Sequence, residues 1–166
     1  MILAIDVHYK DTYAKAAGVL FSWSDDKPKG IIIEKIKEVE DYIPGQFFKR
    51  ELPCLLKIID KTSLNEIDAI LIDGYVYIDD NEGFGLGGYL WSELGHSVPV
   101  IGVAKTSFLR NKGTILPINR GVSKNPLFIS SIGIDLSEAA SLVKNMKGDY
   151  RVPEILKAVD RITKEM

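Results

Sequence analysis

Ile2-Leu3-Ala4-Ile5-Asp6 and Ala69-Ile70-Leu71-Ile72-Asp73 share one pattern, four aliphatic residues closed by an aspartate. Aliphatic runs of this length read as short strands buried on both faces, the central strands of an α/β sheet. A carboxylate at the end of such a strand is costly to ionise unless positive charge stands beside it. Two of them, on strands able to lie side by side, point to a hard cation with oxygen ligands, magnesium or manganese. That arrangement suits metal-dependent phosphodiester chemistry. Glu51 lies between the two runs and supplies a third acid.

Working outward, the 166 residues suffice for one domain with a real core, expected to span 1–166. A hydrophobic content of 46% with 27% charged residues is that of an ordinary globular protein. No apolar stretch is long enough for a bilayer span, and no basic segment precedes the first hydrophobic run. The single Cys54 has no partner for an internal disulfide, which suits a reducing compartment, and a cytoplasmic location is expected. Cys54 itself, among Leu52, Leu55 and Leu56, reads as a buried thiol. His8 and His96 lack the spacing of a zinc site.

The net charge of −2 speaks against binding nucleic acid by bulk attraction, but the charge is unevenly spread. Lys105, Arg110, Lys112, Arg120 and Lys124 fall in a stretch that contains no acid. A phosphate backbone can dock there, with Arg110 and Lys112 as contacts; a solvated loop of scattered cations explains the stretch equally well.

Periodicity and turn residues divide the chain further. Met1–Tyr9, Thr12–Trp23 and Gly30–Val39 read as three antiparallel strands, the last two joined through the turn formers of residues 24–30. Pro44-Gly45 marks a turn. A helix is expected over Leu52–Lys61, with Pro53 in its first turn and Glu51 just ahead of its N-terminus. The strand at Ala69–Ile72 is followed by a glycine-rich segment and a helix through Trp91 and Leu94, then strands at Val98–Val103 and Pro126–Ile132. Two helices end the pattern, Leu136–Lys147, with Ser137 as a cap, and one from about Pro153. Helix and strand alternating after three antiparallel strands give a mixed five- or six-stranded sheet with helices on its faces. This α/β order resembles the ribonuclease H-like fold, which places acids on its first and fourth strands, as Asp6 and Asp73 are placed here.

Several words along the chain are more specific. Tyr42-Ile43-Pro44-Gly45, Lys49-Arg50-Glu51-Leu52-Pro53, Ile72-Asp73-Gly74 and Pro99-Val100-Ile101-Gly102-Val103-Ala104-Lys105 occur in that order. Together they resemble the endonuclease V family from about Asp6 to Asp160, as a short and divergent member. The resemblance implies a magnesium-dependent nick near inosine or deoxyinosine in DNA, or in RNA for some members. It implies Asp6 and Asp73 as metal ligands, Glu51 as a third acid acting through water, Lys105 at a phosphate near the scissile bond, and Asp160 near the site. Tyr42, on the rigid Pro44-Gly45 turn, would fill the gap left by a flipped-out base. Gly83 and Gly85 would bring backbone N–H groups to that base, although close helix–sheet packing accounts for such glycines as well. The chain departs from the family pattern at Tyr75–Asp80, in place of a His-Pro step, and at Gly87-Gly88-Tyr89, in place of Ala-Ser-His.

Two other readings fit the same residues. One is a nucleic-acid-binding relative impaired in cleavage, which the altered Tyr75–Asp80 segment motivates. The other is an α/β protein that binds a metabolite or metal, since a fold does not fix a function.

Overall fold

Residues 1–37, 47–107 and 112–165 are described by the structure, a computed structural model. Strands β1 (Ile2–Tyr9), β2 (Ala14–Phe21) and β3 (Gly30–Ile36) form an antiparallel meander. They are followed by α1 (Phe47–Ile59), β4 (Ala69–Asp73), α2 (Leu86–Glu93) and β5 (Val100–Ala104). The remaining elements are β6 (Leu116–Ile118), β7 (Leu127–Ile132), α3 (Leu136–Lys144) and α4 (Glu154–Lys164). The sheet order is β3-β2-β1-β4-β5-β7-β6, with β1, β4 and β5 parallel at its centre.

Those central strands are buried on both faces, as their unbroken aliphatic runs require. Ile2, Ala4, Leu71, Ile101 and Val103 pack against α3 and α4. Leu3, Ile5, Ile70, Ile72 and Val100 pack against α1 and α2 on the opposite face. Removing a side chain as enclosed as Leu71 costs about 2–5 kcal/mol, so the sheet centre is a rigid support for whatever its strand ends carry.

Three expectations need correction. The sheet has seven strands, not five or six; the extra one is β6, an edge strand too short to show alternation and carrying Pro117, which an edge tolerates. Helix α1 begins at Phe47, so Pro53 lies in its interior and Glu51 within the helix, not ahead of it. The helix accepts Pro53 because Glu51, Cys54, Leu55, Ile58 and Ile59 recur at helical spacing and bury one continuous stripe. Helix α3 ends at Lys144, and its N-cap is Asp135, whose carboxylate accepts from the Glu138 N–H at 3.2 Å while Ser137 donates to that same carboxylate.

The stretch Tyr75–Gly85 after β4 folds back on itself. Ile78 N–H donates to Gly83 O at 2.8 Å, and the Asp79 carboxylate accepts from Asn81 and Gly83 N–H groups, each at 3.0 Å. Asp80 reaches the basic stretch, accepting from Lys112 N–H at 2.7 Å and Gly113 N–H at 2.6 Å. The segment that departs from the family pattern is thus an anchored loop that holds the return of the basic stretch.

Candidate active site

Ile5 of β1 pairs with Ile72 of β4 in parallel register, so Asp6, within β1, and Asp73, the last residue of β4, stand side by side where the pairing of these two strands ends. Alternation points both toward α4, the face that Ala4 and Leu71 also line. Asp160 of α4 meets Asp6 there. A cavity of about 180 Å³ opens at this point, lined by all three aspartates and by Lys105.

The electrostatics follow from the crowding. The Asp6 carboxyl is pushed up to about 7 by burial first and by the charge of Asp73 second, although the Val7 N–H donates to it at 2.9 Å. Asp73 is also raised, by desolvation first, with Asp160 adding to the rise and Lys105 and Lys164 opposing it. Asp160 is lowered: burial raises it, but the Lys164 ammonium 3.0 Å away, together with Asp6 and Lys105, more than reverses this.

Glu51 approaches from the other face of the sheet. It is only 8% exposed, and burial pushes its carboxyl up to about 8, with Asp6 and Asp73 adding to the rise. The Tyr9 side chain opposes that rise. The Tyr9 hydroxyl is buried without a partner at full hydrogen-bond geometry, Glu51 being the acid beside it, and the Arg50 guanidinium lies 3.5 Å above the Tyr9 ring. Glu51 extends the apolar stripe of α1 by one turn, and that helical period is the sequence signal for its burial.

Lys105 follows β5 directly, and Arg151 fixes its backbone by donating to the carbonyls of Lys105 and Pro126. Lys164 is an exposed neighbour of the site, 3.0 Å from the Asp160 carboxylate, that no motif indicates, because a Lys four residues after an Asp ordinarily forms a solvated surface pair. Here Lys10 and Lys15 donate to carbonyls of Lys164 and Glu165, which docks that end of α4 on the β1–β2 hairpin.

Other expected site residues fall elsewhere. Arg120 is 4% exposed, and its guanidinium donates to the carbonyls of Lys144, Met146, Gly148, Tyr150 and Arg151; it organises the chain after α3 and is not available to a phosphate. Lys112 is exposed. Arg110, Tyr42, Pro44 and Gly45 lie outside the described residues. The Gly83 and Gly85 N–H groups donate to Asp79 and to Val76 O, so they are not free to read a base. A Cβ at Gly85 would stand 2.8 Å from Tyr75 O, so close packing within the chain accounts for that glycine. Cys54 is buried, and His96 stacks on Trp91 with ring centroids 3.6 Å apart.

Among the described residues no three His, Cys, Asp or Glu side chains are close enough to enclose a metal ion. Magnesium does not need such a cage, since it keeps several waters and binds through one or two carboxylates. Asp6 and Asp73 are hard oxygen donors whose mutual repulsion a cation relieves, so the pair suits it.

A mixed sheet of this order, with acids on its first and fourth strands, defines a ribonuclease H-like domain. The family model for endonuclease V matches residues 1–161. Endonuclease V of Thermococcus kodakarensis is 32% identical over 97% of this chain and 76% of its own length. Endonuclease V of Pyrococcus abyssi is likewise 32% identical, over 98% and 78%. The fold is also that of human endonuclease V, with a TM-score of 0.77 at 21% identity, covering 98% of this chain and 82% of that one. Endonuclease V of Ciona intestinalis, in complex with a DNA containing an inosine followed by a ribo-adenosine, gives a TM-score of 0.80 at 20% identity, covering 98% and 84%. The chain belongs to the endonuclease V family, and is accordingly an endonuclease, a hydrolase. No described helix is long and apolar enough to cross a membrane.

Proposed function

We propose that this endonuclease uses magnesium, with manganese as the alternative ion, to cut a phosphodiester bond near inosine or deoxyinosine in DNA repair. The observation that carries the reading is the parallel register that sets Asp6 beside Asp73, facing Asp160 and Lys105 across one cavity. Asp6 and Asp73 would hold the metal, which when bound supplies positive charge at the phosphorus and an activated water. Lys105 offers its ammonium to a phosphate oxygen, more effectively here than in open water. Glu51, raised to about 8, is poised to exchange a proton with water near neutral pH. Asp160, kept ionised by Lys164, adds a third carboxylate beside Asp6 in the cavity.

The partner is inosine-containing nucleic acid, DNA or RNA. The reading is supported by family membership and by the Ciona intestinalis relative, whose DNA contains inosine. It is tested by incubating the protein with inosine-containing and unmodified strands of both kinds in magnesium, with binding measured beside it in calcium. Nicking confined to inosine strands is expected. Tight binding without nicking would leave a cleavage-impaired binder; neither binding nor nicking would remove nucleic acid as the substrate.

A further inference from the structure

The cavity has more surface than the proposed chemistry uses. Its acidic end is formed by Asp6, Asp73 and Asp160, but apart from two lysines the rest is aliphatic, Leu71, Val103, Leu127, Val152, Leu156 and Val159 among it. A hydrated cation is satisfied by oxygen atoms and gains nothing from six aliphatic side chains. A free anion is repelled by the aspartates. What matches the aliphatic part is the face of a flat ring whose polar edge stays toward the open side, and the whole cavity, acidic end included, measures about 180 Å³.

The mouth carries the groups a polynucleotide strand needs. Lys105 and Lys157 both line the cavity. Lys157 holds its ammonium 4.3 Å from the centroid of the Tyr150 ring, and Tyr150 is 64% exposed. Glu154, 3.8 Å from Lys157, is the acid beside that pair. Cations spaced along an aromatic surface are the usual device for tracking a single strand, because phosphates find the cations and bases find the ring.

We infer that this cavity is a subsite for one nucleobase of the strand being cut, a base other than the deaminated one. The inference rests on the nuclease reading above. With the scissile phosphate at Asp6, Asp73 and Lys105, a neighbouring nucleotide turns its base inward among Leu127, Val152 and Leu156, and its phosphate lies toward Lys157. Aliphatic walls select for a ring and not for its edge pattern, so any of the bases is accepted.

The test is a scan in which each nucleotide around inosine is replaced in turn by an abasic unit. Affinity is read by fluorescence anisotropy in calcium, and nicking of the intact inosine strand in magnesium serves as the control. One position other than inosine is expected to lose about tenfold in affinity when its base is removed. Leu156→Phe, which fills the cavity, should bind the intact strand about tenfold more weakly and become insensitive to that abasic position, with the magnesium-induced rise in Tm unchanged. A scan flat at every position except inosine, with the parent still nicking, overturns the subsite and leaves the nuclease reading standing. Failure of the parent to bind or nick any inosine strand removes both. Should Leu156→Phe not fold, the scan on the parent still decides.

Discussion

Lys164 sits one helical turn beyond Asp160 on α4, its ammonium 3.0 Å from the Asp160 carboxylate and close enough to lower Asp73 as well. Asp6, Asp73 and Asp160 are therefore partly neutralised before any cation arrives. A protein ammonium and a metal ion compete for the same negative field, so Lys164 weakens metal binding while making the metal-free fold tolerable.

Replacing Lys164 with Met should lower the Tm of the metal-free protein and tighten magnesium a few-fold, read as a larger magnesium-induced rise in Tm. The difference should shrink in high salt, since Lys164 is exposed. An unchanged magnesium response would assign Lys164 to an ordinary surface pair.

The central features of this site are legible in the sequence because they depend on periodicity. Four aliphatic residues before Asp6 and before Asp73 require buried strands, and parallel pairing then puts the two carboxylates together. The placement of Glu51 is not legible in this way: Pro53 reads as a helix start and puts Glu51 ahead of α1, whereas the stripe at positions 51, 54, 55, 58 and 59 carries the helix back past it. Packing of the stripe outweighs the missing backbone bond. Residues whose roles depend on tertiary packing are not legible. Arg120 looks like any other cation of its stretch until the carbonyls after α3 converge on it. Lys164 and Tyr9 acquire their meaning only when α4 and α1 dock on the sheet.

Arg120 and Lys112 separate structure from binding. Arg120→Met leaves one buried and several part-buried carbonyls without this donor and should cost about 3 kcal/mol of stability, with no change in the salt dependence of oligonucleotide binding. Lys112→Ala should do the reverse, keeping stability and flattening the salt slope by about one unit for each phosphate no longer neutralised, as should Arg110→Ala. Equal slopes in parent and Lys112→Ala would take that residue out of the interface. Paired denaturation and salt titrations check both.

Tyr9 bears on Glu51 through its hydroxyl, which lowers an acid that burial raises. Tyr9→Phe keeps the ring under Arg50 and removes only the oxygen. Stability should change by less than about 1 kcal/mol, while the acidic limb of the kcat/KM profile moves to higher pH, because Glu51 then ionises later. Tyr9→Ala would lose the stacking as well and should be clearly destabilised. A Tyr9→Phe profile superimposable on the parent would reduce Tyr9 to packing.

Asp6 gives the sharpest test, because its ionisation works against the metal-free fold. Its carboxyl stands at about 7 in the folded protein, above the ordinary value of 3.8, through burial and then the charge of Asp73. A raised carboxyl contributes stability that is complete below the unfolded value and is lost as pH climbs through the folded one. In EDTA the parent should therefore lose stability from about pH 4 to pH 7, and Glu51 should extend the loss toward pH 8. Asp6→Asn removes its share of that loss, so at about pH 7.5 the variant should be as stable as the parent or slightly more so. It should also abolish cleavage and most of the stabilisation by magnesium, since the ion binds the ionised pair. Metal-free affinity for nucleic acid should change little, because Asp6 repels phosphate. Urea denaturation across this pH range, with and without magnesium, decides the matter. A parent that magnesium never stabilises, together with an Asp6→Asn variant that unfolds, would make Asp6 a structural residue and end its assignment as a metal ligand.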